Sequence, residues 1–181
     1  MPKRYGVDQT VIRPSRGRTR SLLGILTGLV LGLAILPATA QTEKKYQDWI
    51  YRCEPAQDDV PERCFIVQTI KDTESDRDLA QMAIGYVQDQ TDPVAIISLP
   101  LGIYLPPGIG LKVDEGEPVR VPVEVCDGGG CRTGITLKDP LRASMKKGVT
   151  ALILVQDGSR QSAGLPISLK GFTAALNALQ P

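Results

Sequence analysis

The sequence contains no histidine. That absence removes Ser-His-Asp and Cys-His catalysis, histidine-ligated metals and an imidazole pH switch, and leaves carboxylates, lysines, hydroxyls and thiols for any chemistry. Aromatic residues are scarce as well: one Trp, five Tyr and two Phe in 181 residues, so the core has to be largely aliphatic. There is little net charge, with 21 Lys plus Arg against 20 Asp plus Glu. The charge is unevenly spread, however. Residues 1–40 hold six basic residues (Lys3, Arg4, Arg13, Arg16, Arg18, Arg20) and one acid, Asp8, leaving 21 − 6 = 15 basic and 20 − 1 = 19 acidic residues, a balance of −4, in the rest. A basic N-terminal tail on an otherwise acidic chain points to a targeting segment, and no nucleic-acid partner is expected.

Only one long apolar run exists. Leu22 to Leu36 (LLGILTGLVLGLAIL) carries no charge, follows the basic segment directly, and is succeeded by Pro37 and Ala38-Thr39-Ala40. The order of basic region, apolar region and A-x-A site is that of a secretory signal peptide cleaved after Ala40. An uncleaved anchor fits less well, because a spanning helix needs about 20 apolar residues. Thr19 separates Arg18 from Arg20, which does not make a twin-arginine signal, and no cysteine near residue 40 offers a lipid attachment point. The expected product is residues 41–181, one domain with no membrane span, periplasmic and either free, secreted or associated with the outer membrane.

All four cysteines, Cys53, Cys64, Cys126 and Cys131, fall within that product. In an oxidising compartment paired thiols persist as disulfides. Structural zinc is the rival, but ten and four intervening residues are not C-x-x-C and no histidine assists, so no metal is expected. Four cysteines allow three connectivities. Cys126-Asp-Gly-Gly-Gly-Cys131 reads as two strand ends joined by a turn, which favours the local pairing of Cys53 with Cys64 and Cys126 with Cys131.

Apolar periodicity in the remainder is mostly that of strands. Gln47 to Cys53, Cys64 to Ile70, Gln81 to Val87 and Val94 to Leu99 are strand candidates, the last two flanking a polar turn that ends in Pro93. Pro100 to Gly110 (PLGIYLPPGIG) has three prolines and three glycines, which excludes a regular central strand and leaves a packed corner or an exposed apolar contact loop. Val119 to Val125 alternates strictly, predicting one strand with a buried valine face, placed at a sheet edge or bulged because of Pro122. Cys131 to Leu137 follows as another strand. Asp139 is placed to cap a helix Pro140 to Lys147, with Gly148 beyond its end. Thr150 to Gln156 and Leu165 to Leu169 are strands about an Asp157-Gly158 turn, and Phe172 to Leu179 is helical. These elements predict a mainly β protein, an antiparallel β-sandwich or partly open barrel with one or two short helices.

The order of blocks is more specific than any one of them. YQDW (Tyr46 to Trp49), Cys53, Cys64 and Gln68 are followed by LPLGIYLPPGIGLKVDEG (Leu99 to Gly116), Cys126, Gly130-Cys131 and SLKGF (Ser168 to Phe172). The arrangement resembles the invasion-associated locus B family of exported Gram-negative bacterial proteins over essentially the whole of residues 41–181. Tyr46-Gln47 departs from the Phe-Gly that many relatives have before Asp48-Trp49. The resemblance implies an envelope protein, virulence-associated in some organisms, whose members mostly lack a known molecular activity.

Three patterns invite a sharper claim and are better read as structure. Ser144-Met145-Lys146-Lys147 has S-x-x-K spacing, but S-D-N and K-T-G are missing, and lysines in a helix's last turn are explained by its dipole. Asp114, Glu115 and Glu117 lack the ligand order of a calcium loop. Gly108-Ile109-Gly110 lacks the setting of a dinucleotide site. Trp49 is expected in the core beside the first disulfide. The function expected is therefore a non-enzymatic, disulfide-stabilised envelope protein without cofactor, acting by binding an envelope or host-surface partner. The competing class is an envelope hydrolase using carboxylates or a Ser-Lys pair.

Overall fold

A computed structural model describes residues 43–179 apart from Asp59 and Asp89. The expected signal peptide, residues 1–40, lies outside the described residues. Eleven strands and two helices follow in the order β1 (Glu43–Tyr46), β2 (Trp49–Glu54), β3 (Arg63–Lys71), β4 (Asp78–Gly85), β5 (Val94–Leu99), β6 (Ile109–Val113), β7 (Val119–Val121), β8 (Val125–Asp127), β9 (Gly130–Thr136), α1 (Leu141–Lys147), β10 (Thr150–Gln156), β11 (Ser162–Ser168) and α2 (Phe172–Asn177). They form two antiparallel sheets, β1-β2-β3-β4-β5-β9-β8 and β11-β10-β6-β7, neither closed into a barrel. The protein is thus a mainly β sandwich.

Alternation along each strand decides what lies between the sheets. Ile66, Met82, Ile84, Ala95, Ile97 and Ile135 from the larger sheet join Ile109, Leu111, Ala151, Ile153 and Ile167 from the smaller in one buried cluster. Met145 of α1 and Phe172, Ala175 and Leu176 of α2 close its end. Because aromatics are few, aliphatic and Met side chains supply most of this burial, at roughly 25 cal/mol per Å² of apolar surface removed from water.

The irregular segment ends sooner than its composition suggests. Ile109 and Gly110 already belong to β6, which lies between β10 and β7 in the smaller sheet. Gly110 opposes Leu154, and a Cβ there would stand 3.1 Å from the Leu154 Cβ, so this glycine serves close packing within a strand. The strand β1 was not expected: its sequence EKKY is charged, as suits an edge that must not attract another chain.

Val119 to Val125 is not one strand with a buried face. It divides at Pro122 into β7, an edge of the smaller sheet, and β8, an edge of the larger, and Val119 and Val125 are exposed. Proline lacks the N–H a continuous ladder needs, and the chain changes sheets there. The Thr133 hydroxyl donates to the Pro122 carbonyl at 2.7 Å, and the Glu124 N–H donates to the Arg132 carbonyl at 3.0 Å, fixing the crossover. Asp139 does not cap α1. Pro140 occupies the cap position with no side-chain hydrogen bond, since the Asp139 carboxylate accepts from Arg142 at 3.0 Å instead.

Candidate functional site

Cys53 and Cys64 are register partners on β2 and β3, and Cys126 and Cys131 are partners on β8 and β9. Both pairs are bonded, each with Cα atoms 4.0 Å apart. Glu62 lies beside the first pair, but its sulfurs are spent on one another, which leaves no thiolate for a metal. Cys53 is buried and Cys126 exposed, so the two bridges meet different surroundings.

Three separated blocks meet where β11 reaches the larger sheet. The Gln68 amide nitrogen donates to the carbonyls of Asp48 and Ser168, both at 3.0 Å, while its oxygen accepts the Ser168 N–H at 2.8 Å. The Ser168 hydroxyl donates to the Asp48 carboxylate at 2.6 Å, and the buried Trp49 indole N–H donates to the Ser168 carbonyl at 2.9 Å. Thr150, opposite Ser168, turns its own N–H toward the Asp114 carboxylate and its carbonyl toward the Asp114 N–H. The Ser168 backbone therefore faces away from β10, and Gln68 and Trp49 take up what would otherwise be an open sheet edge. Beside this latch Phe172 packs on Trp49 with ring centroids 5.4 Å apart. Gly171 adopts φ 82, and a Cβ on it would land on the Tyr46 carbonyl. DW, Gln68 and SLKGF thus join the two sheets. The sequence shows these residues; only their meeting across 100 or more positions shows their role.

The LPLG block has a similar office. Gly130, at φ 124, packs so closely on the Leu99 carbonyl that no Cβ fits, which ties the residue before Cys131 to the end of β5. Tyr104 donates its N–H to Gln156 at 2.8 Å, and Arg160 lies over its ring at 5.0 Å. Leu101 and Leu105 are exposed.

The residues that invited catalytic readings are not assembled. Ser144 lines an apolar cleft of about 470 Å³ with Val113, Val119, Leu141 and Lys138, whereas Lys147 does not line it. Asp114 accepts the N–H groups of Val149 and Thr150, Glu115 pairs with Lys112 at 3.3 Å, and the carboxylates of this loop do not share a centre. Arg142 bridges Asp92 and Asp139 at 2.9 and 3.0 Å, and these hydrogen-bonded acids raise its pKa further. Asp72 is held below the usual carboxylate range chiefly by N–H and hydroxyl bonds from Ser75, a turn-forming arrangement. On the face of the larger sheet turned from the core, Ile50, Val67, Ala83, Ile96 and Gly134 form one cross-strand row.

The profile described as invasion associated locus B (IalB) protein matches residues 49–180. Two proteins named invasion protein B homolog, from Brucella abortus strain 2308 and from biovar 1 strain 9-941, are each 27% identical over 162 residues, covering 86% of this chain and 89% of the relative. A crystal structure of invasion associated protein b from Bartonella henselae superposes with TM-score 0.67 and 21% identity, covering 76% of this chain and 95% of that one. At that identity the likeness speaks to the fold. With the profile spanning the sandwich from Trp49 in β2 through the SLKGF block, the chain belongs to the invasion associated locus B family.

Proposed function

We propose that this protein is exported, processed after Ala40, and acts in the bacterial envelope by binding, not by catalysis. The observation that carries the reading is the latch: Asp48, Trp49, Gln68 and Ser168, from three of the blocks by which the chain resembles its family, spend their polar groups on one another and hold two sheets together. Among the described residues, no buried side-chain nitrogen or oxygen lacks a hydrogen-bond partner, as suits groups that hold a fold together. Two disulfides and no free thiol among the described residues suit an oxidising compartment. The names of the Brucella relatives extend the reading to host-cell contact where the organism is a pathogen.

Two measurements test it. Mass spectrometry of the exported protein should find Gln41, or its cyclised form, at the N-terminus; an intact Met1 terminus in the membrane fraction contradicts export with cleavage. The purified protein should show no turnover of cell-wall, ester or peptide substrates. Turnover abolished by Ser144→Ala or Asp114→Ala would replace the binding reading with that of an envelope hydrolase.

A further inference from the structure

Acidic and basic residues are segregated along the folded chain. From Pro140 to Pro181 there is one acid, Asp157, against five cations, Arg142, Lys146, Lys147, Arg160 and Lys170. Two of the five are engaged, Arg142 with Asp92 and Asp139, and Arg160 with the Tyr104 ring. Lys146, Lys147 and Lys170 are exposed and make no ion pair among the described residues.

The fold gathers these three lysines. The Thr173 hydroxyl donates to the Lys146 carbonyl at 3.1 Å, bringing the end of α1 against the start of α2. Lys170 precedes Gly171, which sits on the Tyr46 carbonyl, so β1 joins the same face with Lys44, whose ammonium lies 5.0 Å from the Tyr46 ring centroid. Val149 stands among them: it follows Gly148 at the end of α1, accepts the Leu169 N–H at 2.9 Å, and is 64% exposed, the most of any large hydrophobic residue described. The nearby carboxylates are committed to structure, Asp114 to the Val149 and Thr150 N–H groups and Asp48 to Ser168. The helix α2 contributes exposed Thr173, Ala174 and Asn177 and no acid.

We propose that this face, Lys44, Lys146, Lys147, Val149 and Lys170 around α2, docks on an anionic bilayer surface. Unpaired lysines with a projecting apolar side chain are what an anionic interface attracts, each cation near the surface strengthening association about fivefold. The proposal names a partner class for the binding protein above and rests on that reading for its compartment. Its test in vitro is independent of export and of catalysis.

Protein recovered from exporting cells, processed as those cells process it, is floated with vesicles of phosphatidylcholine alone or with about a quarter phosphatidylglycerol. Binding at least tenfold stronger to the anionic vesicles, weakening at least tenfold between about 50 and 300 mM NaCl, is expected. Reversal of Lys146, Lys147 and Lys170 to Glu should weaken it at least twentyfold, whereas reversal of Arg120, Lys138 and Arg160, the same change in net charge, should weaken it less than about threefold. Equal binding to both vesicles overturns the proposal, even if a variant fails to fold. Equal losses in the two triple variants also overturn it, since net charge alone would then explain binding. So does displacement by inorganic phosphate beyond that of NaCl at matched ionic strength, which would indicate a site for a free anion.

Discussion

Removing the Cys53–Cys64 bridge by a double serine substitution should destabilise the protein by about 2 to 5 kcal/mol, a drop of roughly 1 to 2 M in urea midpoint. The bridge lies between directly opposed residues of β2 and β3, and Cys53 is only 8% exposed. Two hydroxyls would replace sulfurs in partly buried surroundings, adding a desolvation cost to the lost restraint. The strand β2 also carries Trp49, and β3 carries Gln68, so loosening this pair weakens the latch as well. The Cys126–Cys131 bridge should matter less. It spans a sequence separation of 5 instead of 11, worth about 2 against about 3 kcal/mol on chain-entropy grounds, and it joins an edge strand of three residues. Urea unfolding of the oxidised protein and both double-serine variants checks the order. Unchanged midpoints for both, or free thiols in protein isolated without reductant from the cells that naturally make it, would refute a structural role for the bridges.

What the sequence reveals and what it conceals divide on physical lines. Val94–Leu99 and Thr150–Gln156 are legible to the residue because runs of β-branched and aliphatic residues between turn signals have few alternatives. Val119 to Val125 misleads because strict alternation describes a side-chain pattern and says nothing of which sheet each half joins; Pro122 decides that through a missing N–H. Ile109–Val113 is hidden by neighbouring prolines and glycines, and Gly110 looks like a breaker until Leu154 is seen filling the space above it. Asp139 has the right type and position for a cap, yet Arg142 three residues on competes for its carboxylate. The latch is the largest omission. Gln68 and Ser168 are ordinary residues within strands, and a hydrogen-bonded set between positions 100 apart leaves no local pattern.

A single methyl group at Gly171 should be nearly as damaging as loss of the buried disulfide. At φ 82 an L-residue pays about 1 to 2 kcal/mol for the left-handed backbone alone. The added Cβ would also coincide with the Tyr46 carbonyl, and backbone cannot rotate aside as a side chain can, so displacement of β1 or of the α2 approach adds roughly 1 to 3 kcal/mol. Gly171→Ala is therefore expected to cost about 2 to 5 kcal/mol in all. Its neighbours make the displacement expensive: the Asp48 N–H donates to the Lys170 carbonyl at 3.4 Å, and Phe172 is wholly buried against Trp49. Gly164→Ala is the control. Gly164 lies in β11 without a positive φ, and a Cβ there would meet the Leu154 Cδ2 at 3.6 Å, an ordinary contact, so its effect should stay within about 0.5 kcal/mol of neutral or be slightly stabilising. Thermal and urea unfolding of the two variants separates a backbone role at Gly171 from a general intolerance of alanine near the latch. If both variants unfold at the wild-type midpoint, the close approach of SLKGF to β1 does not hold the sandwich together; if both fall equally, the positive φ is not the cause.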